Sequence, residues 1–383
     1  MAERLRIALI TERFGQKFGG AEAYAVHLLE QLAPHHDVTV IAREFAHDLP
    51  IKEIQVSKCQ GWPSWIRALH FAYWSHRLTK NKTSFDVVHT HEMGPAGDIH
   101  VVHVVPVKFR RFHMQSRWRG ILSCLEPRTL AYLWLEAASV RASTGHQVVA
   151  VSPSVQAQLW SAYSKLEPIE IIPPGARPVT VDLTTRTQLR AQFRAQFGWA
   201  QNDIGCLLVA RNPLRKGLAA VLQSLVELPA HYKLAVVGAD GPARQYLHHK
   251  HPDLLERVTF IDPVTDVSPY YQCADIYVHP TLRDSFGMAP LEAMAHGLPV
   301  VLSAAQYCGF AAFVQHQHNA WVLEDPNNAS AITAALLALD PEHGLGMQIV
   351  QKSADLVQAF SWETVAKRYE ALYLAVVCGR KAI

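Results

Sequence analysis

In the stretch HPTLRDSFGMAPLEAMAHGLPVVLS, His279 to Ser303, Asp284 stands eight positions before Glu292. The residues ADIYVHPT read as a strand, LRDSFG as the loop leaving it, and MAPLEAMAHG as a helix stopped by Gly297 and Pro299. Asp284 then falls just beyond a strand's carboxyl end, and Glu292 about two turns inside a helix. A lone carboxylate among Leu291, Ala293 and Met294 needs a hydrogen-bond donor. The paired hydroxyls of a ribose would serve, although a solvent-facing glutamate shows the same local pattern. Upstream, VARNPLRKGLAAVLQSL gathers Arg211, Arg215 and Lys216 in a loop opening a helix near Gly217. Cations at a helix N-terminus cost electrostatic energy unless an anion joins them. A diphosphate is such an anion, and a solvated turn is the plainer alternative. A further loop, TERFGQKFGGAEAYAVHLLEQL, ends in Gly19 and Gly20 before a helix beginning near Ala21. Glycines there let the backbone approach a phosphate or sugar, but they also make an ordinary loop-to-helix turn, and the G-x-G-x-x-G fingerprint is absent.

These loops must be held by strands, and the chain supplies them. Short β-branched runs recur at helix-length intervals: LRIALIT, HDVTVIA, FDVVHTH, IHVVHVV, QVVAVS and IEIIPPG in the first half. IGCLLVA, YKLAVVG, VTFID, ADIYVHP and LPVVLS follow in the second. Apolar strands alternating with helices imply parallel sheets covered on both faces. Two such sets imply an α/β protein of two doubly wound, Rossmann-like domains, with a ligand in the cleft where strand ends meet. The expected division is residues 1–176 with a returning helix at 363–383, and residues 177–362, joined through PPGARPVTVDLTT. A length of 383 residues suits two domains.

Composition narrows the function. At 49% hydrophobic and 18% charged residues the chain can build a core, and a net charge of +3 gives no reason to expect nucleic acid. Cys59, Cys124, Cys206, Cys273, Cys308 and Cys378 are scattered without C-x-x-C spacing, which favours reduced thiols in a cytoplasmic enzyme. The start turns directly into a strand without a leader's apolar core, and no uninterrupted apolar run is long enough to span a bilayer.

As a set, DSFGMAPLE with AMAHGLPVV, FGGAE, DVVHTHE, VVAVSPSV, IIPPGA, ARNPLRKG, FIDPV, YYQCADIYVHPT and FSWETVAKRYEALY resembles the family 4 retaining glycosyltransferases of GT-B fold. The resemblance covers nearly the whole chain and leans toward the family's lipopolysaccharide-core glucosyltransferase branch. It implies a nucleotide-sugar donor, UDP-glucose in that branch, held by Gly19, Gly20, Arg211, Lys216, Val264, Asp284, Ser285, Phe286, Gly287, Met288 and Glu292. Arg211 and Lys216 would hold the diphosphate, Val264 the base through its backbone, Asp284 the transferred sugar and Glu292 the ribose. His103 would lie near the sugar and the acceptor, unless it is simply a strand histidine with its needs met. With Asp284, Arg211 and Lys216, it makes up the catalytic set. Two departures stand out: the family's first acid is usually Glu, one methylene longer than Asp284, and Pro174 replaces a common asparagine. No D-x-D occurs, so no metal and no cofactor is expected. A sugar-nucleotide epimerase and a non-catalytic sugar-nucleotide-binding protein are the alternatives.

One segment stands apart from this scheme. HVVPVKFRRFHMQSRWRGIL carries Lys108, Arg110, Arg111, Arg117 and Arg119, with Phe109, Phe112 and Trp118 among them. GWPSWIRALHFAYWSHRL adds Trp62, Trp65 and Trp74. Cations beside aromatics suit the anionic surface of an inner membrane, each contributing on the order of 1 kcal/mol. They equally suit the phosphates of a lipid-linked or lipopolysaccharide-core acceptor, or plain solvent over a packed core. The resulting expectation is a cytoplasmic enzyme peripheral on the inner membrane.

Overall fold

The structure is a computed structural model that describes residues 4–81, 84–114, 117–141, 146–163, 166, 169–179 and 183–381, with the side chains of all these except 117, 119, 183, 380 and 381. The chain divides into two compact units, Met1–Gly175 with Trp362–Ile383, and Ala176–Ser361. Both junctions fall one residue before those expected from the sequence.

The N-terminal unit contains β1 (Arg6–Ile10), β2 (Arg13–Phe14), β3 (Asp37–Ala42), β4 (Glu44–Phe45), β5 (Lys52–Gln55), β6 (Val87–Thr90), β7 (Ile99–Val102), β8 (Gln147–Ala150) and β9 (Glu170–Ile171). Seven of these form a parallel sheet of order β5-β3-β1-β6-β7-β8-β9, and β2 pairs with β4 alone. The central strands β1 and β6 are buried along nearly their whole length, as parallel strands covered on both faces must be. The strand order reverses between β1 and β6, and the crevice beyond their carboxyl ends is where such sheets receive ligands. The C-terminal helix Trp362–Lys381 belongs to this unit because it buries Tyr369 and Tyr373 completely. The Tyr369 hydroxyl lies 2.7 Å from that of Tyr24, and the Tyr373 hydroxyl 2.7 Å from His89 Nδ1.

The C-terminal unit contains β10 (Ile204–Val209), β11 (Tyr232–Val237), β12 (Val258–Ile261), β13 (Ile276–His279), β14 (Val300–Ser303) and β15 (Trp321–Leu323), all parallel, in the order β12-β11-β10-β13-β14-β15. Its core is aliphatic, with Leu208, Val221, Leu222, Leu234, Val236, Val278 and Ile332 among the buried residues. A buried ion cluster lies inside: Asp275 pairs with Arg190 and with the equally buried Arg194, and accepts the Gly205 amide at 2.7 Å. Paired and hydrogen-bonded, this carboxylate ties the helix Leu183–Phe197 to the sheet at a position where an unpartnered charge would be strongly destabilising. Here the strand order reverses between β10 and β13, so the loops after those two strands flank the ligand crevice.

Candidate functional site

The loop after β10 runs through Arg211 to Gly217, where the helix Leu218–Glu227 begins. Gly217 has φ of 89°, and a Cβ there would collide with the carbonyl of Pro280 in the loop after β13. Only glycine permits both the left-handed backbone and this approach. Close contact between the two loops brings Lys216 onto Asp284: its Nζ forms an ion pair with Asp284 Oδ2. His279, the last residue of β13, reaches the same oxygen with Nε2 at 3.3 Å, and its Nδ1 lies 3.2 Å from the Tyr277 hydroxyl. The anion that the cationic loop called for is thus supplied at Lys216 by the protein's own carboxylate.

The electrostatics follow from this packing. Burial alone would raise the Asp284 pKa. The hydrogen bond from His279 and the charge of Lys216 outweigh it and hold the carboxyl well below the usual range, ionised at any ordinary pH. Burial keeps His279 neutral by lowering its pKa, against the opposing pull of Asp284. The Asp284 loop is clamped from behind: its amide donates to the Tyr307 carbonyl at 2.6 Å, and its own carbonyl accepts from Gly309 at 3.1 Å. Gly287, with φ of 100°, starts the helix Met288–Ala295, and a Cβ there would sit 2.7 Å from Cys308 Sγ. Phe286 is buried among Phe310, Phe313 and Phe360, so its ring anchors the loop and is not available to a ligand as the sequence had suggested. Ser285 and Met288 lie half-buried on either side of this turn.

Glu292 projects from the second turn of that helix. Its Oε2 accepts a hydrogen bond from the Tyr271 hydroxyl at 3.0 Å. The donor sought for this carboxylate therefore exists inside the protein, and Glu292 is held in place before any ligand arrives. Arg211 is exposed at the start of the Lys216 loop, and Val264 is exposed in the loop after β12. Sequence reasoning missed His279, Tyr277 and Tyr271. His279 is visible as the first letter of HPT, but a histidine at a strand end has no spacing signature.

In the N-terminal unit, Gly19 precedes the helix Gly20–Leu32, which starts one residue earlier than expected. At the β1–β6 reversal, the Glu12 amide donates to Glu92 Oε1 at 2.8 Å. Burial pushes the Glu92 carboxyl up to about 7, with neighbouring Glu12 and Glu22 adding to the effect. His103 lies just past β7. Its Nε2 is 2.7 Å from His91 Nδ1, and His103, His91 and His89 stack with 4.8 Å between successive rings. Burial lowers all of them, His103 to about 4 and His89 to about 3, so the stack is uncharged near neutral pH.

The cationic segment forms the helices Val107–Phe112 and Arg117–Ser123. Buried Glu136 holds the first of these by its N-terminus, accepting the amides of Val107 and, at 2.9 Å, Lys108. Lys108 lies over the Tyr163 ring at 4.4 Å, Arg111 is half-buried and Arg110 points outward. Trp118 is 78% exposed and Leu125 79%, and Ile121, Leu122, Leu130 and Trp134 are also exposed. Trp62 and Trp74 are exposed too, so most of these large apolar side chains lie outside the core. The side chains of Arg117 and Arg119 lie outside the described residues.

A parallel sheet in each unit, with charged loops at a strand-order reversal, is the architecture of the GT-B glycosyltransferases. Residues 18–178 match Glycosyltransferase Family 4 and residues 203–340 match Glycosyl transferases group 1, together more than three quarters of the chain. The protein belongs to these glycosyltransferases. It is 25% identical to an uncharacterized glycosyltransferase of Methanocaldococcus jannaschii over 96% of this chain and 98% of that one. It is also 25% identical to the lipopolysaccharide glucosyltransferase WaaG of Escherichia coli, over 57% of this chain and 59% of WaaG. A crystal structure of WaaG superposes with a TM-score of 0.78 at 21% identity, covering 95% of this chain and 98% of that chain. HepE of Anabaena in complex with UDP-glucose gives 0.69 at 16% identity, covering 96% and 99%. Among the described residues no helix is long and apolar enough to cross a membrane, and no group of three histidine, cysteine or acidic side chains could hold a metal ion.

Proposed function

We propose that the protein is a retaining, metal-independent glycosyltransferase that moves a hexosyl group, glucose from UDP-glucose, onto a lipopolysaccharide-core or other lipid-linked glycan. The observation that carries this reading is the joint placement of Lys216 and Asp284 at the β10–β13 reversal, with Glu292 two turns into the following helix. Lys216 has three N–H donors, so it can hold Asp284 and a phosphate oxygen together. With Arg211 it offsets the charge that develops on the departing diphosphate, the part a divalent ion plays in other transferases. Glu292, steadied by Tyr271, accepts the ribose hydroxyls, Asp284 those of the transferred sugar, and the backbone at Val264 meets the base. The acceptor hydroxyl attacks from the face the leaving group departs, and a diphosphate oxygen takes its proton. Neutral His103 offers a hydrogen bond on the acceptor side. Gly19 and Gly20 let the backbone approach the donor.

The acceptor's lipid anchor accounts for the outer face of the N-terminal unit. Exposed Trp118, Leu125 and neighbouring apolar side chains, with Arg110 and Lys108 close in sequence, suit the interface of an anionic membrane and imply a peripheral enzyme on the cytoplasmic leaflet.

The test is mass spectrometry of products from UDP-, GDP- and ADP-sugars with deacylated core acceptors, in EDTA and with magnesium or manganese restored. Transfer from UDP-glucose with the anomeric configuration kept, unaffected by EDTA, is expected. An epimerised nucleotide sugar formed without acceptor, or turnover that EDTA abolishes and metal restores, would overturn the reading.

A further inference from the structure

The Asp284 carboxylate is gripped asymmetrically. Lys216 Nζ and His279 Nε2 both act on Oδ2, and Oδ1 has no protein partner among the described residues. Lys216 comes from the mobile end of a long side chain. His279 does not: it is 1% exposed, ends a buried strand, and is braced by the Tyr277 hydroxyl, itself wholly buried. The proton positions follow from chemistry. Asp284 is ionised and only accepts, so Nε2 carries the His279 proton and donates it. Nδ1 then has a lone pair, and the Tyr277 hydroxyl donates to it. The chain runs in one direction, from Tyr277 through His279 to Asp284, without a net change of charge.

We infer that Tyr277 and His279 are positioning residues for sugar transfer: they fix the Asp284 carboxylate through Oδ2 and leave Oδ1 directed at the hydroxyls of the transferred sugar. This rests on the reading of Asp284 as a donor-sugar contact. A carboxylate held by Lys216 alone could rotate about its Cβ–Cγ bond and would lose its grip whenever the ammonium turns to a phosphate. The imidazole removes that freedom and keeps its hold on Asp284 when Lys216 is shared. Such preorganisation is needed where a hydrogen bond must strengthen as charge develops on the sugar ring. The ionisable groups around the chain are Lys216 from the loop after β10, Cys308 from the segment after β14, Tyr271, whose ring lies 5.7 Å from that of Tyr277, and Glu292 from the helix Met288–Ala295, which acts on Tyr277.

The experiment compares the parent with His279→Leu, His279→Gln and Tyr277→Phe. Transfer from UDP-glucose is measured as kcat and KM across pH, UDP affinity by calorimetry, and folding by thermal melting. His279→Leu should lower kcat about tenfold, the scale of one hydrogen bond to a charged group, with UDP affinity within about twofold. Its acid limb should move to higher pH, because Asp284 has lost a donor that favours its charged form. His279→Gln, whose amide can donate to Oδ2, should recover most of kcat, and Tyr277→Phe should lose about threefold. Long-range 1H–15N correlations on the parent, with and without UDP, should show His279 neutral with its proton on Nε2. A proton on Nδ1, a charged ring at neutral pH, an unchanged kcat in His279→Leu, or a loss of UDP affinity equal to the loss in kcat would overturn the inference. If the parent transfers no sugar, the functional reading fails while the NMR still judges the hydrogen-bond chain, as it does if His279→Leu does not fold.

Discussion

The two strand-order reversals of this protein solve the same architectural problem with opposite electrostatics. At the C-terminal unit's β10–β13 reversal, Lys216 and Asp284 are charged and paired, and burial has been offset by bonds that favour the ionised carboxylate. Within and just beyond β6 and β7 of the N-terminal unit, His89, His91 and His103 are stacked and neutral, and Glu92 is held at about 7, so that it is about half protonated at neutral pH. Burial acts on both regions, and what differs is whether neighbouring groups outweigh it: His279 and Lys216 do so at Asp284, and Arg13 does not at Glu92. Where they do, the site keeps charge and can supply an anion's counter-charges. Where they do not, titratable groups become neutral hydrogen-bonding groups, suited to an uncharged hydroxyl.

The largest effect expected from this difference is in acid. In the unfolded chain a histidine titrates near about 6.5. In the fold His103 titrates at about 4 and His89 at about 3, and burial holds His91 and His100 well below the ordinary value too. As pH falls from about 6.5 toward 4 the unfolded chain takes up protons that the folded chain refuses, so stability is lost across that window. His89 and His103 each lose on the order of 2 kcal/mol by about pH 4.5. Glu92 acts the other way: its folded value of about 7 exceeds the ordinary 4.5, so it adds stability as pH drops between those values and offsets about one histidine. Net of Glu92, His89 and His103 alone lose about 2 kcal/mol, roughly thirtyfold less protection, and His91 and His100, held well below the ordinary value, deepen the loss. Hydrogen exchange at about pH 7 and 4.5, corrected for intrinsic rates, should show the loss concentrated in β1, β6 and β7. Strands β10 and β13, near His279 and His296 alone among the lowered histidines of their unit, should lose less. Equal loss in both units would erase the distinction.

Next in size is the removal of charge from the C-terminal site. Lys216→Ala deletes the proposed phosphate ligand and the counter-charge of Asp284 at once, and kcat/KM for transfer should fall about a hundredfold, two charge-assisted bonds' worth. Glu292→Ala takes from Tyr271 the nearer of its two acceptors and removes the proposed ribose contact, for at least about a tenfold loss. Variants that melt like the parent yet transfer sugar at its rate would remove both residues from the donor site.

How much of this was legible beforehand depended on what each residue's signal was made of. Strands β1, β3, β6, β10, β11 and β13 announced themselves because both faces are buried and the run of apolar letters is continuous. Strand β5, at the sheet edge with burial on almost none of its residues, spells KEIQ and gave no signal. Lys216, Asp284 and Glu292 could be read from type and spacing. Their partners could not, since Tyr271, Tyr277 and His279 act through side-chain directions that only the packed sheet sets. The Lys216–Asp284 contact itself depends on Gly217 passing close to Pro280, a distance no one-dimensional pattern contains.

The smallest effect concerns the outer face of the N-terminal unit, and it tests whether the cations and aromatic side chains there serve a purpose. Arg110 points outward, and no ion pair holds Lys108, Arg110 or Arg111 among the described residues. Trp118 is more exposed than any other tryptophan in the structure, on the helix next in sequence. Cations near an anionic surface contribute on the order of 1 kcal/mol each, so Arg110→Gln with Arg111→Gln should weaken binding to phosphatidylglycerol vesicles roughly thirtyfold. Salt should do the same to the parent, because exposed charges more than about 8 Å apart are screened at physiological ionic strength. Trp118→Ser should then reduce what remains, since part of the affinity comes from an aromatic ring at the headgroup level and is insensitive to salt. Sedimentation with anionic and neutral vesicles separates these contributions. Binding to anionic vesicles that survives the arginine changes would leave the apolar residues alone as the anchor. Equal binding to both vesicle types, or to neither, would leave Arg110 and Arg111 to the phosphates of the acceptor or to solvent.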